Sequence, residues 1–254
     1  MSSTNTGAVL VTGACGLLGS AIVKELVAKD WQVVATDLHQ SALQDLVHSS
    51  QTDHIHPIVV DLSSQSGIEA LMDAVNNLPF TVSAAVHSAY PRSPGWGARI
   101  EDLQEHHLIA DITTQLGVPI LLSRALLEYF KSHGGGSLVH LSSIQGVAAP
   151  KFDHYEGTSM HSPVEYAAIK SGLISMTRWL AKYYSNCNIR VNCVSPGGIL
   201  DRQPNAFLSR YRASCANIGM LSPSHVSSIV AFLLSSDAFA INGQNIVVDD
   251  GWTL

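Results

Sequence analysis

A tyrosine and a lysine four residues apart, Tyr166 and Lys170, are the pair in this sequence best suited to do chemistry. Residues with that spacing lie on one face of a helix, so the two side chains can act together. A phenol with a pKa of about 10 is almost fully protonated at neutral pH, and a nearby cation favours its ionised form. Such a tyrosine could take a proton from a substrate hydroxyl or return one to an alkoxide. The same spacing also occurs on ordinary surface helices, so the rest of the sequence must decide.

The composition indicates a globular protein with an acidic balance. Of the 254 residues, 46% are apolar and 13% are charged, and Asp plus Glu exceed Lys plus Arg by 20 to 14. Nucleic-acid-binding proteins normally carry a basic excess, so we expect no nucleic-acid partner. The sequence contains no apolar run of about 18 residues, and its start lacks the features of a signal peptide. We therefore expect a cytoplasmic protein that does not bind membranes, with residues 1–254 forming a single domain.

Neither the cysteines nor the histidines predict a metal site. The four cysteines have no C-x-x-C spacing and indicate neither a zinc site nor a disulfide framework. The twelve histidines are scattered, without an H-x-x-x-H helix or grouped carboxylates. We expect no bound metal.

A glycine-rich turn between a buried strand and a helix is the first element that could position a ligand. Residues 8–11 form a wholly apolar run, as expected of a strand buried on both faces of a parallel sheet. Three glycines spaced by three residues follow and lead into an apolar-periodic helix at residues 17–28. Backbone N–H groups at such a helix start can hold a pyrophosphate. The cofactor contacts predicted in this turn are Gly13, Cys15, Gly16, Leu17, Leu18 and Gly19.

The second predicted strand, residues 31–36, ends at Asp37. An acid at this point of a dinucleotide-binding fold accepts hydrogen bonds from the adenosine ribose and repels the 2′-phosphate that an arginine would bind. Neither neighbour, Thr36 or Leu38, is basic, so the sequence favours NAD over NADP. The alternative is an ordinary acid in a turn at the end of a strand.

Two further predicted strands end in residues that suit the same cofactor. The strand at residues 55–60 closes with an acidic and an apolar residue, which suit contacts with an adenine. The strand at residues 81–86 leads into small residues, which let the chain pass close to a cofactor. The predicted contacts here are Asp61, Leu62, Ser88 and Ala89.

The remaining strands are predicted at residues 137–141, 189–194 and 245–248, with long helices at 101–131 and 163–184. Strands and helices alternate, and parallel neighbours need right-handed crossovers. The predicted fold class is therefore α/β: a single doubly wound Rossmann domain, with a seven-stranded parallel sheet and helices on both faces. Ligands bind such sheets at the carboxyl ends of the strands. The residues predicted there after the later strands are Ser143, Pro196, Gly198 and Ile199.

Several motifs occur in a fixed order along nearly the whole chain. They are T-G-x-x-G-x-x-G at residues 12–19, strand-end Ser143, Y-x-x-x-K at 166–170, V-N-x-V-x-P-G at 191–197 and G-Q-x-I-x-V-D-D-G at 243–251. Together they resemble the short-chain dehydrogenase/reductase family.

The resemblance implies an NAD(P)-dependent oxidoreductase in which Ser143, Tyr166 and Lys170 are catalytic. Tyr166 would be the acid/base and Ser143 would position the substrate oxygen. Lys170 would bind the nicotinamide ribose and lower the pKa of the tyrosine. The resemblance also implies a homodimer or homotetramer formed through the long helices and the last strand. No histidine and acid flank Ser143 in a G-x-S-x-G context, which argues against a hydrolase triad.

The sequence departs from the family pattern at three places. Tyr90 stands at the glycine of the usual N-A-G, Gln115 at the usual helix asparagine, and Asp201 at a usual threonine. A proton relay through Gln115 is therefore not assumed. The glycine spacing also resembles that of nucleotide-sugar epimerases and dehydratases with retained NAD. A catalytically silent NAD-binding scaffold is a further alternative.

Two segments beside the expected site are candidates for substrate recognition. Residues 151–162 form an insertion rich in polar and aromatic residues. The second segment is residues 199–220, in which residues 202–220 hold Arg202, Arg210 and Arg212 and no acidic residue. Arginine forks match carboxylate and phosphate oxygens. Parts of both segments resemble members from bacterial surface-sugar and flagellin-glycan pathways, which implies an acidic or nucleotide-activated sugar. Plain surface loops are the alternative. The candidate substrate residues are Tyr90, Tyr155, Arg202 and Arg210.

Overall fold

The structure is a computed structural model that describes residues 7–254. Residues 1–6, which hold most of the start that lacks signal-peptide features, lie outside the described residues. Seven parallel strands form one sheet in the order β3-β2-β1-β4-β5-β6-β7, which confirms the predicted fold class. The strands are β1 Ala8–Thr12, β2 Gln32–Asp37, β3 Ile55–Val59, β4 Val82–His87, β5 Gly136–Leu141, β6 Ile189–Pro196 and β7 Asn245–Val248.

Helices cover both faces of this sheet. They are α1 Leu17–Val27, α2 Gln40–Ser50, α3 Gln65–Asn76, α4 Glu105–Ile112, α5 Val118–Ser132, α6 Val164–Tyr183, α7 Asn205–Ala213 and α8 Pro223–Leu234. Helices α1, α2 and α8 contribute to the core on one face, and α3, α5 and α6 to the core on the other. Every residue of β1 is buried, because a central parallel strand has helices above and below it.

The sequence order of the strands reverses between β1 and β4. Crossovers therefore run in opposite directions on the two sides of this pair, which opens a crevice at the carboxyl ends of the strands. The glycine turn follows β1 directly and lies at this switch point. The parallel register pairs Thr12 with Thr36 on one side and with His87 on the other. The ends of β1, β2 and β4 are thus level and face the same crevice.

The long helix predicted at residues 101–131 is interrupted. A short helical turn at Ile100–Asp102 and α4 are followed by a π-helical turn at Thr113–Gly117, after which α5 begins. Pro119 explains the change of pattern, since it has no N–H to donate to the carbonyl four residues earlier. Gln115 lies inside this π turn and is buried. Among the helices of residues 7–254, none combines the length and the hydropathy that spanning a bilayer requires.

Candidate active site

Helix α6 and the end of β5 bring the three candidate catalytic residues together. Ser142 Oγ donates to the carbonyl of Lys170 at 2.8 Å, which fixes the end of β5 against α6. Gly146 allows the close approach, because a Cβ there would lie 2.7 Å from the carbonyl carbon of Lys170. Ser143 and Lys170 are buried at this junction, and Tyr166 is half-buried. Tyr166 and Lys170, the i,i+4 pair identified in the sequence, therefore lie on the face of α6 that meets the sheet.

Burial governs the ionisation of the tyrosine and the lysine. It raises the pKa of Tyr166, an effect that a hydrogen bond with Ser143 opposes. It lowers the pKa of Lys170 to about 8. The Lys170 ammonium donates to the carbonyl of Leu141 at 2.9 Å and lies 5.6 Å from the centre of the Tyr166 ring. Lowering of the tyrosine pKa by Lys170 stays a prediction, and burial is the largest influence on the Tyr166 pKa in this geometry.

Two aromatic side chains from the loop after β4 enclose Tyr166. The ring centres of Tyr90 and Trp96 lie 5.9 Å and 5.8 Å from that of Tyr166, both edge to face. The loop is held by the buried Asp111 of α4, which accepts hydrogen bonds from the N–H and Oγ of Ser93 at 2.8 Å and 2.7 Å. The sequence analysis identified Tyr90 but missed Trp96. A second aromatic residue in the same loop was the available signal.

The glycine turn forms a cradle that fits a dinucleotide. Gly13 has a positive φ of 64°, and a Cβ there would lie 2.6 Å from the Cα of Ala89. A Cβ on Gly19 would collide with the carbonyl oxygen of Gly13. No side chain caps the start of α1, so first-turn N–H groups of Leu17 and Leu18 have no intrahelical acceptor. Such donors suit the oxygens of a pyrophosphate.

Asp37 and the small residues after β4 border the same turn. The carboxylate of Asp37 accepts hydrogen bonds from the N–H of Cys15 at 3.0 Å and from that of His39 at 3.3 Å. Burial and this carboxylate raise the pKa of the Cys15 thiol to about 11. The N–H groups of Ser88 and Ala89 both lie within 3.4 Å of Thr12 Oγ1. The chain after β4 is thus pinned beside Gly13.

Other predicted cofactor residues lie further along the crevice. Asp61 Oδ1 accepts from the N–H of Ser63 at 2.9 Å, and Leu62 packs against the core. Pro196 ends β6, and Gly198 donates its N–H to the hydroxyl of Tyr211. The structure brings the predicted cofactor residues to one edge of the sheet, as the strand-end rule expects.

A cavity of about 200 Å³ joins the candidate catalytic residues to a set of aromatic side chains. Ser143 and Tyr166 line it, and so do four of the predicted cofactor residues: Leu18, Pro196, Gly198 and Ile199. The remaining wall comes from Gln145, His154, Tyr155, Phe207, Tyr211 and Trp252, with further backbone. A larger groove of about 390 Å³ lies between α3 and α5, where none of the predicted site residues is found.

The candidate substrate residues fall into two groups. Tyr155 lines the cavity, and Gln145 connects it to Ser143. Gln145 Nε2 donates to the Tyr155 hydroxyl at 3.1 Å, and the backbone N–H of Gln145 donates to Ser143 Oγ at 3.2 Å. Arg202 and Arg210 are not among the lining residues. Arg202 is exposed, and the Arg210 guanidinium donates to the carbonyl of Glu156 in the insertion. The arginines therefore lie outside the aromatic cavity.

Five wall residues were not among the candidate residues: Gln145, His154, Phe207, Tyr211 and Trp252. His154 nevertheless lies in the predicted insertion at 151–162, and Phe207 and Tyr211 lie in the predicted segment at 199–220. His154 is 2% exposed and shares a hydrogen bond of 2.9 Å with Ser214 Oγ. Phe207 and Tyr211 point from one face of α7, with an i,i+4 spacing that was the only signal available. Trp252 follows the last strand and comes directly after the terminal motif at residues 243–251.

Gln115, in the π-helical turn, makes few hydrogen bonds with its side chain. Its Nε2 lies 3.5 Å from Asp111 Oδ1, at the limit of a hydrogen bond. Its Oε1 is buried and has no partner among residues 7–254. The described residues therefore do not complete a hydrogen-bonded path from Gln115 to Lys170. Within the same residues, no group of three or more His, Cys, Asp or Glu side chains is placed to hold a metal ion.

A family model described as enoyl-(acyl carrier protein) reductase matches residues 13–253. The chain belongs to the short-chain dehydrogenase/reductase family. Post-translational flagellin modification protein A of Campylobacter coli is 35% identical over 250 residues, covering 97% of this chain and 98% of that protein. A short-chain dehydrogenase from Leptospira borgpetersenii, solved with NAD⁺, is 27% identical with a TM-score of 0.88, covering 98% of this chain and 93% of that one.

The fold is also shared with a more distant protein. Actinorhodin polyketide ketoreductase, solved with NADPH, is 21% identical with a TM-score of 0.84 and covers 99% of both chains. The protein is therefore an NAD(P)-dependent oxidoreductase of this family that acts on CH–OH groups. The solved relatives carry either form of the nicotinamide cofactor.

Proposed function

We propose that this enzyme is an NAD(H)-dependent oxidoreductase that interconverts a secondary alcohol and a ketone on a sugar-like molecule. The observation that carries the proposal is the shared cavity: Ser143, Tyr166 and residues of the predicted cofactor set line one space of about 200 Å³. A substrate there could meet both catalytic hydroxyls and the cofactor. Bound nicotinamide would accept or supply the hydride.

In the proposed chemistry, the protein's own side chains handle the proton and the orientation. Ser143 Oγ holds the substrate oxygen. During reduction the Tyr166 hydroxyl donates its proton to that oxygen, and during oxidation the Tyr166 phenolate, left when that proton has been released to solvent, takes the proton of the substrate hydroxyl. Lys170 holds the cofactor ribose from a position beside the Tyr90 ring. Its ammonium lies 5.2 Å from the centre of the Tyr90 ring. Tyr90 and Trp96 keep water away from the tyrosine.

The aromatic side chains in the cavity wall support the hypothesis that the substrate is a ring-shaped molecule such as a sugar. The cavity presents flat aromatic faces together with the hydroxyls of Tyr155 and Tyr211, a mixture of apolar surface and few polar groups that is common in ligand sites. The Campylobacter coli relative is named for post-translational flagellin modification, which supports a substrate from that kind of pathway. Arg202 and Arg210 lie on the segment that also carries Phe207 and Tyr211, so an acidic or nucleotide group extending beyond the cavity could reach them.

Asp37 supports NAD as the preferred cofactor. Its carboxylate lies at the end of β2 and is tied to the turn that would hold the pyrophosphate. A 2′-phosphate at the adenosine ribose would meet this charge, and the next residue is Leu38 rather than an arginine.

The test is to mix purified protein with NAD and a panel of neutral, acidic and nucleotide-linked sugars and to follow absorbance at 340 nm. Substrate-dependent, exchangeable NADH formation is expected. Tightly retained NAD with product formation but no net absorbance change would instead favour an epimerase or dehydratase, the alternative that the glycine spacing supports. Cofactor binding without any turnover across the panel would favour a silent scaffold.

A further inference from the structure

Lys170 is a buried cation without a partner of opposite charge. The side chain is 8% exposed, and its ammonium donates one hydrogen bond, to the carbonyl of Leu141 at 2.9 Å. None of the ion pairs formed within residues 7–254 includes it. Buried charges are normally paired, because removing an ion from water is unfavourable. The charged form of Lys170 therefore needs another source of stabilisation.

The titratable side chains that face Lys170 from the sheet and from its own helix are neutral at pH 7. Burial lowers the pKa of His87 on β4 to about 4 and that of His140 on β5 to about 3. Cys193 on β6 is the register partner of His140, and burial raises the pKa of its thiol to about 11. Burial also raises the pKa of the Tyr166 phenol on α6. None of these four side chains supplies a counter-charge.

The Tyr90 ring supplies an aromatic face instead. The Lys170 ammonium lies 5.2 Å from the centre of this ring and 5.6 Å from that of Tyr166. A cation within about 6 Å of an aromatic face is attracted by the negative charge of that face, more strongly when the cation is desolvated. Tyr90 stands where the family pattern has a glycine, which has no side chain. The contact with Tyr90 is therefore an addition to the shared Ser143, Tyr166 and Lys170 arrangement.

The loop that carries Tyr90 is anchored two and three residues further on. Arg92 places its guanidinium 5.7 Å from the Tyr90 ring centre, and Ser93 is tied to the buried Asp111 by its N–H and its Oγ. Arg92, Asp111 and Glu165 are the ionisable side chains, besides Tyr166, that influence the Tyr90 hydroxyl. Tyr90 itself is 41% exposed, so its replacement should not prevent folding.

We propose that Tyr90 is a positioning residue whose ring face stabilises the Lys170 ammonium in its charged form beside Tyr166. A ring face does this without a carboxylate that would compete for the donors of the ammonium. Of the three N–H donors of a lysine, Leu141 uses one, and the others remain for a ligand. The inference deepens the proposed function, in which Lys170 holds the cofactor ribose.

The test is a direct titration of Lys170 in the full chain without cofactor. Lysine labelled with ¹³C at Cε gives six NMR signals, and Lys170→Ala identifies the one of interest. In the parent protein its titration midpoint should lie near 8. Tyr90→Leu and Tyr90→Met keep an apolar side chain but remove the aromatic face. Both should lower the midpoint by about 0.4–1.5 pH units, the value of one cation–π contact. Tyr90→Phe keeps the face and should keep the parent midpoint.

The direction of the change separates charge stabilisation from packing. If the Tyr90 ring only excluded water, a smaller side chain would hydrate the ammonium and raise the midpoint toward the ordinary 10.5. Lys151 is the internal control, because its ammonium lies 4.7 Å from the centre of the Trp252 ring and its signal should not change in the Tyr90 variants. A Lys170 midpoint that stays or rises in Tyr90→Leu and Tyr90→Met, or that falls equally in Tyr90→Phe, would overturn the proposal.

NAD affinity provides a second measurement, made by calorimetry in a Tyr166→Phe background so that the phenol does not titrate. The loss of affinity caused by Tyr90→Leu should grow between pH 6 and pH 9, because Lys170 loses its proton at a lower pH in the variant. A loss of the same size at every pH would assign Tyr90 a packing role and overturn the proposal. A shifted Lys170 midpoint with NAD affinity independent of pH would instead overturn the ribose role of Lys170 in the proposed function and leave the Tyr90 contact standing.

Discussion

The carboxylate of Asp37 and the backbone N–H of Cys15 are joined by a hydrogen bond of 3.0 Å, so the acid that ends β2 is part of the glycine turn that follows β1. The charge expected to select the cofactor therefore also orders the loop expected to bind it. Removing the Asp37 side chain and neutralising its charge should therefore affect the turn differently.

We predict that NAD binds at least about tenfold more tightly than NADP, a difference of about 1.4 kcal/mol. Asp37→Asn keeps an acceptor for the Cys15 N–H but removes the charge, so it should narrow the gap mainly by strengthening NADP binding. Asp37→Ala should also weaken NAD binding. Calorimetric titration with both cofactors measures this, and equal affinities in the parent protein would contradict the assignment.

Tyr166→Phe should retain cofactor binding and lose nearly all turnover, because only the acid/base oxygen is removed. Ser143→Ala should lower kcat about a hundredfold or more, as expected for a positioned hydrogen-bond donor. Lys170→Ala should lose both activity and cofactor affinity. Steady-state kinetics and NAD titration separate these cases. A Tyr166→Phe enzyme as active as the parent would show that the proton leaves by another route.

The buried histidine at the end of β4 should make the protein sensitive to acid. Burial lowers the pKa of His87 from its ordinary 6.5 to about 4, with the Lys170 charge as a second cause. Between these two values the unfolded chain binds a proton that the folded chain does not, so stability falls as pH falls, by up to about 1.4 kcal/mol per pH unit.

His87→Asn should remove this part of the acid sensitivity, since an amide can still bond Thr12 Oγ1 without titrating. Urea unfolding at pH 7.5 and pH 5 should show a loss about 1–2 kcal/mol smaller in the variant than in the parent. His48→Asn, at an exposed position of α2, is the matched control. Identical losses in the parent and His87→Asn would refute the prediction.

The arginines outside the cavity give a test of the acidic-substrate hypothesis. If Arg202, Arg210 or Arg212 binds an anionic group, its replacement by alanine should raise KM for an acidic or nucleotide-linked sugar about tenfold. KM for a neutral ring alcohol should not change. Arg210→Lys distinguishes anion binding from support of the insertion, because lysine keeps the charge but loses the fork that reaches Glu156. Unchanged KM in all three alanine variants would leave a neutral substrate as the better hypothesis.

Exposed apolar side chains on the long helices predict a homo-oligomer. Ile109, Ile112 and Ile120 on α4 and α5 are 40–56% exposed, and Trp179 and Tyr183 on α6 stack on each other at more than 60% exposure. Apolar groups of this kind mark contact surfaces. Light scattering should give a mass of about two or four times 27.1 kDa, and Trp179→Glu should shift it downward. A parent protein of about 27 kDa at micromolar concentration would contradict this.

The strands and helix α6 could be predicted because their signals lie in short stretches of sequence. The apolar run of β1 and the i,i+4 spacing of Tyr166 and Lys170 each depend on a few neighbouring residues. The interruption of the helix at Gln115 was not predicted, because the helical periodicity of the sequence continues through the π turn. The only local signal of the turn is Pro119, which has no N–H.

The cavity wall could not be predicted in the same way. His154, Phe207 and Trp252 belong to three separate segments that follow β5, β6 and β7, and they meet only once the sheet has formed. The pKa of Tyr166 depends likewise on burial, which no spacing reveals. The arginines stood out in the sequence. In the structure, however, the side of α7 that lines the cavity is its apolar face, with Phe207 and Tyr211.

The expected cofactor site and the aromatic cavity wall come largely from different halves of the chain. Most of the residues expected to hold the dinucleotide follow β1 to β4, whereas the aromatic wall follows β5, β6 and β7, where Lys170, Pro196, Gly198 and Ile199 are the remaining expected cofactor contacts. Mutations in the second group can reshape the pocket while leaving the glycine cradle untouched. A descendant could thus acquire a new substrate through mutations in three loops while it keeps its cofactor-binding turn. A chimaera of two family members joined between β4 and β5 would show whether the two halves can be exchanged.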